Sequence, residues 1–146
     1  MKITNGVYLA GPMSGMTGTN MKEWRTKAVQ ILEMAGVPCL DPTRRVPYHK
    51  QKHDDRGLEG NISRRIFKQD LSDIARCEIL LVDGRDHPNA KAQGTACEIM
   101  FSHMKNKIII IWKNPGDQLN PFFVAMATEV HDDLEEAVYA AISYGE

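Results

Sequence analysis

Lys107-Ile108-Ile109-Ile110-Ile111-Trp112 is the stretch whose reading decides the fold. Four consecutive isoleucines leave no polar face, so the segment suits a strand buried on both sides, the environment of a central parallel strand. Working outward, Glu78-Ile79-Leu80-Leu81-Val82 reads as a second apolar strand, ended by Asp83-Gly84. Val7-Tyr8-Leu9-Ala10 reads as a third, stopped by Gly11-Pro12. Val37 to Leu40 is a short strand ended by Asp41-Pro42, and Val130 marks a weak last one.

The segments between these strands have helical periodicity. Met21, Trp24, Ala28, Ile31, Leu32 and Ala35 follow a helical spacing that Gly36 closes as the first residue past the helix. Further helices are predicted from Ile62 to Cys77, from Gly94 to about Met104, and after Asp132, which can cap a face of Leu134, Ala137, Val138, Ala141 and Ile142. Thr43 to Gly60 has no clear period and reads as a long loop. Strands alternating with helices predict one α/β domain over residues 1–146. Its sheet should be five-stranded, mostly parallel and doubly wound in the Rossmann/flavodoxin-like manner, with helices on both faces. Such sheets bind ligands beyond the carboxyl ends of their strands. That rule points to Gly11–Thr17, Asp41–Thr43 and Asp83–Thr95.

Composition narrows the function classes. A chain of 146 residues with 42% hydrophobic and 25% charged residues can bury a core without metal or disulfides. A net charge of −1 gives no global field to draw it onto nucleic acid or an anionic membrane. The stretch from Arg44 to Lys68 is locally basic and reads as mostly solvated surface, with room for one or two phosphate contacts. Cys39, Cys77 and Cys97 are odd in number and lack metal spacing, as expected of reduced thiols in a cytoplasmic protein. Met1-Lys2 and the short apolar run that follows do not form a signal peptide. His49 and His53 are four apart, but no third ligand is near, so no metal is expected.

Two carboxylates stand out. Asp70 lies near the middle of the apolar stripe Ile62, Ile66, Phe67, Leu71, Ile74 and Cys77, where a carboxylate is costly unless paired or functional. Asp73 lies at its edge. Glu98 falls opposite an apolar face of Ala96, Cys97, Met100 and Met104, and Thr95-x-x-Glu98 has the spacing of a capping box. The same helix follows a strand's carboxyl end, so Glu98 is also placed to face a ligand crevice. In the loop Gly11-Pro12-Met13-Ser14-Gly15, the glycines serve either turn-making or close backbone approach to a ligand, and Ser14 could donate to a phosphate. Tyr8 reads as core, with a phenol able to orient a carboxylate.

Taken in order, Tyr8-Leu9-Ala10-Gly11-Pro12, Asp41-Pro42, Gln69-Asp70-Leu71-x-x-Ile74-x-x-Cys77 and Gly94-Thr95-Ala96-Cys97-Glu98-Ile99 resemble the nucleoside 2-deoxyribosyltransferase family, which includes nucleoside 5′-monophosphate N-glycosidases. The resemblance implies cleavage of an N-glycosidic bond in nucleotide salvage, without metal or organic cofactor. By it, Glu98 is the nucleophile, Tyr8 holds and tunes it, and Asp70 protonates the leaving base. Gly11, Pro12, Met13, Ser14, Asp41, Gly94 and Thr95 would line the substrate. Asn120 would reach the sugar's 5′-hydroxyl from a neighbouring subunit, which implies a homo-oligomer with shared sites. One departure stands out. Transferases of the family often carry an aspartate where this chain has Ala92, whereas the monophosphate hydrolases have a small serine. Base exchange on a free nucleoside, hydrolysis of a nucleoside 5′-monophosphate, and a nucleotide sensor without turnover are therefore the readings to separate.

Overall fold

The computed structural model describes residues 1–13, 16, 18–45 and 61–146. Ser14 and the His49/His53 pair lie outside these. The elements are β1 (Val7–Ala10), α1 (Gly18–Met34), β2 (Cys39–Leu40), a 3-10 turn (Pro42–Arg45), α2 (Asn61–Arg76), β3 (Ile79–Asp83), α3 (Gln93–Met104), β4 (Ile108–Trp112), α4 (Pro121–Met126), β5 (Glu129–His131) and α5 (Leu134–Ser143). The five strands form one sheet in the order β2-β1-β3-β4-β5, and every pairing is parallel. This is the doubly wound order with its switch at β1, from which the chain steps one way to β2 and the other to β3.

The isoleucine run behaves as its composition dictates. β4 lies between β3 and β5, with Ile109, Ile110 and Ile111 fully or almost fully buried. Its alternate side chains feed two cores. Ile110 and Trp112 pack with Val7, Leu9, Trp24, Leu32 and the inner face of α5. Ile109 and Ile111 pack with Tyr8, Leu80, Val82, Ile74 and Ile99 on the opposite side. Each fully buried isoleucine is worth about 1.5–3 kcal/mol over its exposed state.

The end of α1 is fixed as expected. Gly36 has φ +72°, and the Gly36 and Val37 amides donate to the Glu33 and Leu32 carbonyls, closing a Schellman motif. Several boundaries differ from the sequence expectation. β2 shrinks to two residues, and α4 is a six-residue helix too short to show a period. Asp133 rather than Asp132 caps α5, accepting from the Glu136 amide, while Asp132 instead pairs with Lys113. Among the described residues, no helix is long and apolar enough to cross a membrane.

Candidate active site

Packing explains how the two carboxylates approach one tyrosine. Tyr8, Ile74 and Ile99 belong to one core cluster and are fully buried. Ile74 is one turn beyond Asp70 on α2, and Ile99 directly follows Glu98 on α3. Docking these isoleucines against β1 and β3 brings Asp70 and Glu98 toward the carboxyl end of β1. There the Tyr8 hydroxyl donates to Glu98 Oε2 at 3.0 Å. Asp70 and Glu98 are both partly buried.

The electrostatics of the pair are unusual. Burial, then the charge of Asp70, pushes the Glu98 carboxyl up to about 7, while the Tyr8 hydrogen bond and the Arg25 guanidinium pull the other way. Burial, then the Glu98 and Asp70 charges, raises the Tyr8 phenol, so it stays protonated and acts as a donor. A carboxylate balanced near neutrality beside a second carboxylate is the arrangement that nucleophilic and acid–base chemistry requires.

Arg25 was not singled out from the sequence. Its guanidinium is fully buried and donates to three carbonyls: Leu9 at 3.2 Å, Met21 at 2.6 Å and Gly11 at 3.1 Å. It also lies 3.8 Å from Asp41 and stacks 4.7 Å from the Trp24 ring centroid. Helical spacing could have found it, because Met21, Arg25, Ala28 and Leu32 share one inner stripe and all are fully buried.

The remaining predicted residues divide. Gly11 is a close-approach position: a Cβ there would come within 2.9 Å of Asp83 Cβ and 3.3 Å of Arg25. Its carbonyl is used by Arg25. Pro12 is buried, and Met13 is partly exposed at the same loop. Asp41 Oδ1 accepts from the Thr43 amide at 2.8 Å and hydroxyl at 2.6 Å, so that oxygen is committed to the turn after β2. Gly94 is exposed at the start of α3, with open space where a side chain would be. Asn120 is exposed and caps α4, its Oδ1 accepting from the Phe122 amide at 2.8 Å.

The capping-box reading of Thr95 and Glu98 does not hold. α3 begins at Gln93, its N-cap is Ala92, and no side chain caps it. Thr95 lies inside the first turn and faces the sheet with Ile99 and Ser102. The face expected to be apolar, with Met100 and Met104, points outward, and Met104 is 71% exposed. The inward face is therefore the one that carries Glu98, one turn from both Thr95 and Ser102. Asp73, taken as marginal, is the more deeply buried acid of α2, but Arg44 and Arg76 pair with it. It is an anchor for the turn after β2. Phe67, expected in the buried stripe, is 48% exposed.

The sheet is of the parallel, doubly wound α/β class, and Tyr8, Glu98 and Asp70 gather beside its switch strand β1, where sheets of this class bind small molecules. Residues 7–137 match the nucleoside 2-deoxyribosyltransferase family, and the chain belongs to it. It is thus an enzyme of the nucleoside deoxyribosyltransferase or nucleotide N-glycosidase kind. Solved structures of similar fold include a 2-deoxyribosyltransferase from Bacillus psychrosaccharolyticus, with 21% identity, TM-score 0.71, and coverage of 94% of this chain and 95% of that one. A 2-deoxyribosyltransferase from Leishmania mexicana is 16% identical with TM-score 0.66, covering 97% of this chain and 99% of that one. A CMP N-glycosidase from Clostridium botulinum is 13% identical with TM-score 0.52, covering 92% and 96%. Among curated proteins, none matches.

Proposed function

We propose that this enzyme transfers a (deoxy)ribosyl group between bases through a covalent ester on Glu98. The observation that carries the reading is the Tyr8–Glu98 hydrogen bond beside Asp70. A Glu98 oxygen attacks C1′ of the sugar as the C1′–N bond breaks. The bond's electron pair leaves with the base, which takes a proton from Asp70. The Glu98 carboxylate stabilises the oxocarbenium-like charge that develops on the sugar, joined by Asp70 once its proton has gone. A ring nitrogen of a second base then attacks C1′ as the C1′–O ester bond breaks; Glu98 leaves as a carboxylate, and the nitrogen's proton returns to Asp70. The ester splits one hard displacement into two easier ones.

Hydrolysis of a (deoxy)nucleoside 5′-monophosphate is the second reading, and Ala92 favours it. The residue at the start of α3 carries no charge, and the first turn of that helix holds no acid to repel a phosphate. Water then takes the place of the second base. Incubating the protein with a deoxynucleoside plus a foreign base, and separately with deoxynucleoside monophosphates, separates the two. A new nucleoside supports transfer, and free base with sugar phosphate supports hydrolysis. Neither product would refute both readings.

The proposal extends to a homo-oligomer. Phe67, Met100, Met104, Phe122 and Val124 leave large apolar side chains exposed on α2, α3 and α4, and Phe122 is 76% exposed. α3 packs against both α2 and α4, so these residues lie on one side of the molecule. A second copy covering them would put its Asn120, which caps α4 beside Phe122, at the interface.

A further inference from the structure

Arg25 makes contacts that core packing does not require. A fully buried guanidinium is costly, and an apolar side chain would fill the same space without that cost. Here the fork is spent on the Leu9 and Gly11 carbonyls at the carboxyl end of β1 and on Met21 within α1. Tyr8, which reaches Glu98, lies immediately before Leu9 in the same strand.

The ionisable groups around Arg25 come from several elements. Asp41 follows β2, Asp83 ends β3, Glu98 lies on α3 and Tyr8 on β1, and each favours the charged guanidinium against its burial. Asp83 is already held by Arg85 and His87, at 3.0 Å each, and Asp41 by Thr43. Around Glu98, Tyr8 from β1, Asp70 from α2 and Arg25 from α1 set the balance. Of these three, only Arg25 brings a positive charge.

We propose that Arg25 is a positioning residue of the glycosyl-cleaving site: its buried fork fixes the end of β1 that carries Tyr8 and so holds the Tyr8 hydroxyl on Glu98. This rests on the reading of Glu98 as nucleophile. Arg25 acts through the strand end and Tyr8 without touching substrate, because the guanidinium has no exposed surface.

The test uses Arg25→Gln and Arg25→Lys, with the titration of Glu98 followed by carboxyl-carbon NMR beside the pH profile of kcat. Arg25→Gln frees the end of β1 and loosens the Tyr8 hydrogen bond, so the Glu98 midpoint should rise by about one pH unit, the low end for losing a hydrogen bond to a charged group. The acidic limb of its rate profile should move equally, with about tenfold more activity lost at acid pH than at alkaline pH. Arg25→Lys keeps the charge and loses the fork. Its midpoint should rise as in Arg25→Gln, since the fork holds Tyr8 in place. A folded Arg25→Gln with an unmoved Glu98 midpoint would overturn the proposal. If neither variant folds, the wild type decides. Its Arg25 guanidinium resonances must shift with the Glu98 midpoint and stop doing so in Glu98→Gln, and a flat response refutes the coupling. The NMR titration is independent of turnover. If Glu98→Gln keeps full activity, the nucleophile reading fails while the coupling of Arg25 to Glu98 is still measured.

Discussion

The Tyr8 hydroxyl donates to Glu98 Oε2 at 3.0 Å, joining the first strand to a helix 90 residues later. The donor is fully buried and its phenol is pushed up, so the bond lasts across the working pH range. A hydrogen bond to a charged group is worth about 1.5–3 kcal/mol. Tyr8→Phe removes it with little change of shape. The Glu98 midpoint should move above about 7, and kcat should fall roughly 10–150-fold at neutral pH. Steady-state rates across pH check this; an unshifted acidic limb counts against it.

Glu98 should matter to turnover and hardly at all to the helix. Ala92, not a side chain of the Thr95/Glu98 pair, occupies the cap, so Glu98→Ala removes no capping bond. Turnover should vanish in a folded protein. The stability effect has a definite sign. The folded carboxyl is raised from 4.5 to about 7, so the native state binds a proton more tightly than the unfolded chain. That stabilisation is complete below about pH 4.5 and is lost as pH rises to about 7. Glu98→Gln escapes the loss. It should gain roughly 1–3 kcal/mol over wild type in alkaline buffer and nothing of this in acid, since each pKa unit is worth about 1.4 kcal/mol. Urea denaturation at both pH values measures it.

How far the sequence could be read depended on what each element buries. β4 was legible because four isoleucines admit one environment, and the alternation of elements then dictated a parallel sheet. Asp70 and Tyr8 were legible as polar atoms set in apolar patterns. α3 misled because its inward face is Thr95, Ile99 and Ser102, while Met100 and Met104 face outward. An apolar stripe marks any surface to be covered, by a sheet or by another chain, and periodicity alone does not distinguish them. Arg25 was passed over although its place between Met21 and Ala28 obeys the rule that exposed Asp70. The partners that make it tolerable, Leu9, Gly11 and Asp41, are distant in sequence.

The two acids of α2 should separate cleanly. Asp73 is buried and paired with Arg44 at 2.7 Å and with Arg76. Asp73→Ala should cost stability, about 1–3 kcal/mol once the exposure of both arginines is discounted. Its kcat in the folded fraction should stay close to wild type. Asp70→Asn should instead leave the melting temperature nearly unchanged and slow the reaction. The slowing should be about 10²–10⁴-fold for bases that leave only when protonated and far smaller for an activated leaving group. Equal losses with both kinds of substrate would remove Asp70 from the role of acid.

Asn120 allows a test of shared sites that separates cap from catalysis. Its Oδ1 accepts from the Phe122 amide, and its side-chain amide nitrogen is a donor. Asn120→Asp keeps the capping oxygen and replaces the donor with an acceptor, so α4 should hold while the 5′ end of the sugar loses its partner. KM should rise about tenfold or more, at unchanged thermal stability. Asn120→Asp protomers are next unfolded and refolded together with Glu98→Gln protomers, each inactive or weak alone. If a site takes Glu98 from one subunit and Asn120 from its neighbour, every mixed dimer contains one intact site and one doubly defective site. Equal mixing gives half mixed dimers, and about a quarter of wild-type activity should return. Sites built within single subunits give no such recovery, because no protomer in the mixture carries both residues. Sedimentation of Phe122→Ser should show monomer under conditions where the wild type associates. A wild type that stays monomeric at micromolar concentration would exclude the shared site directly, whatever Asn120→Asp does to KM.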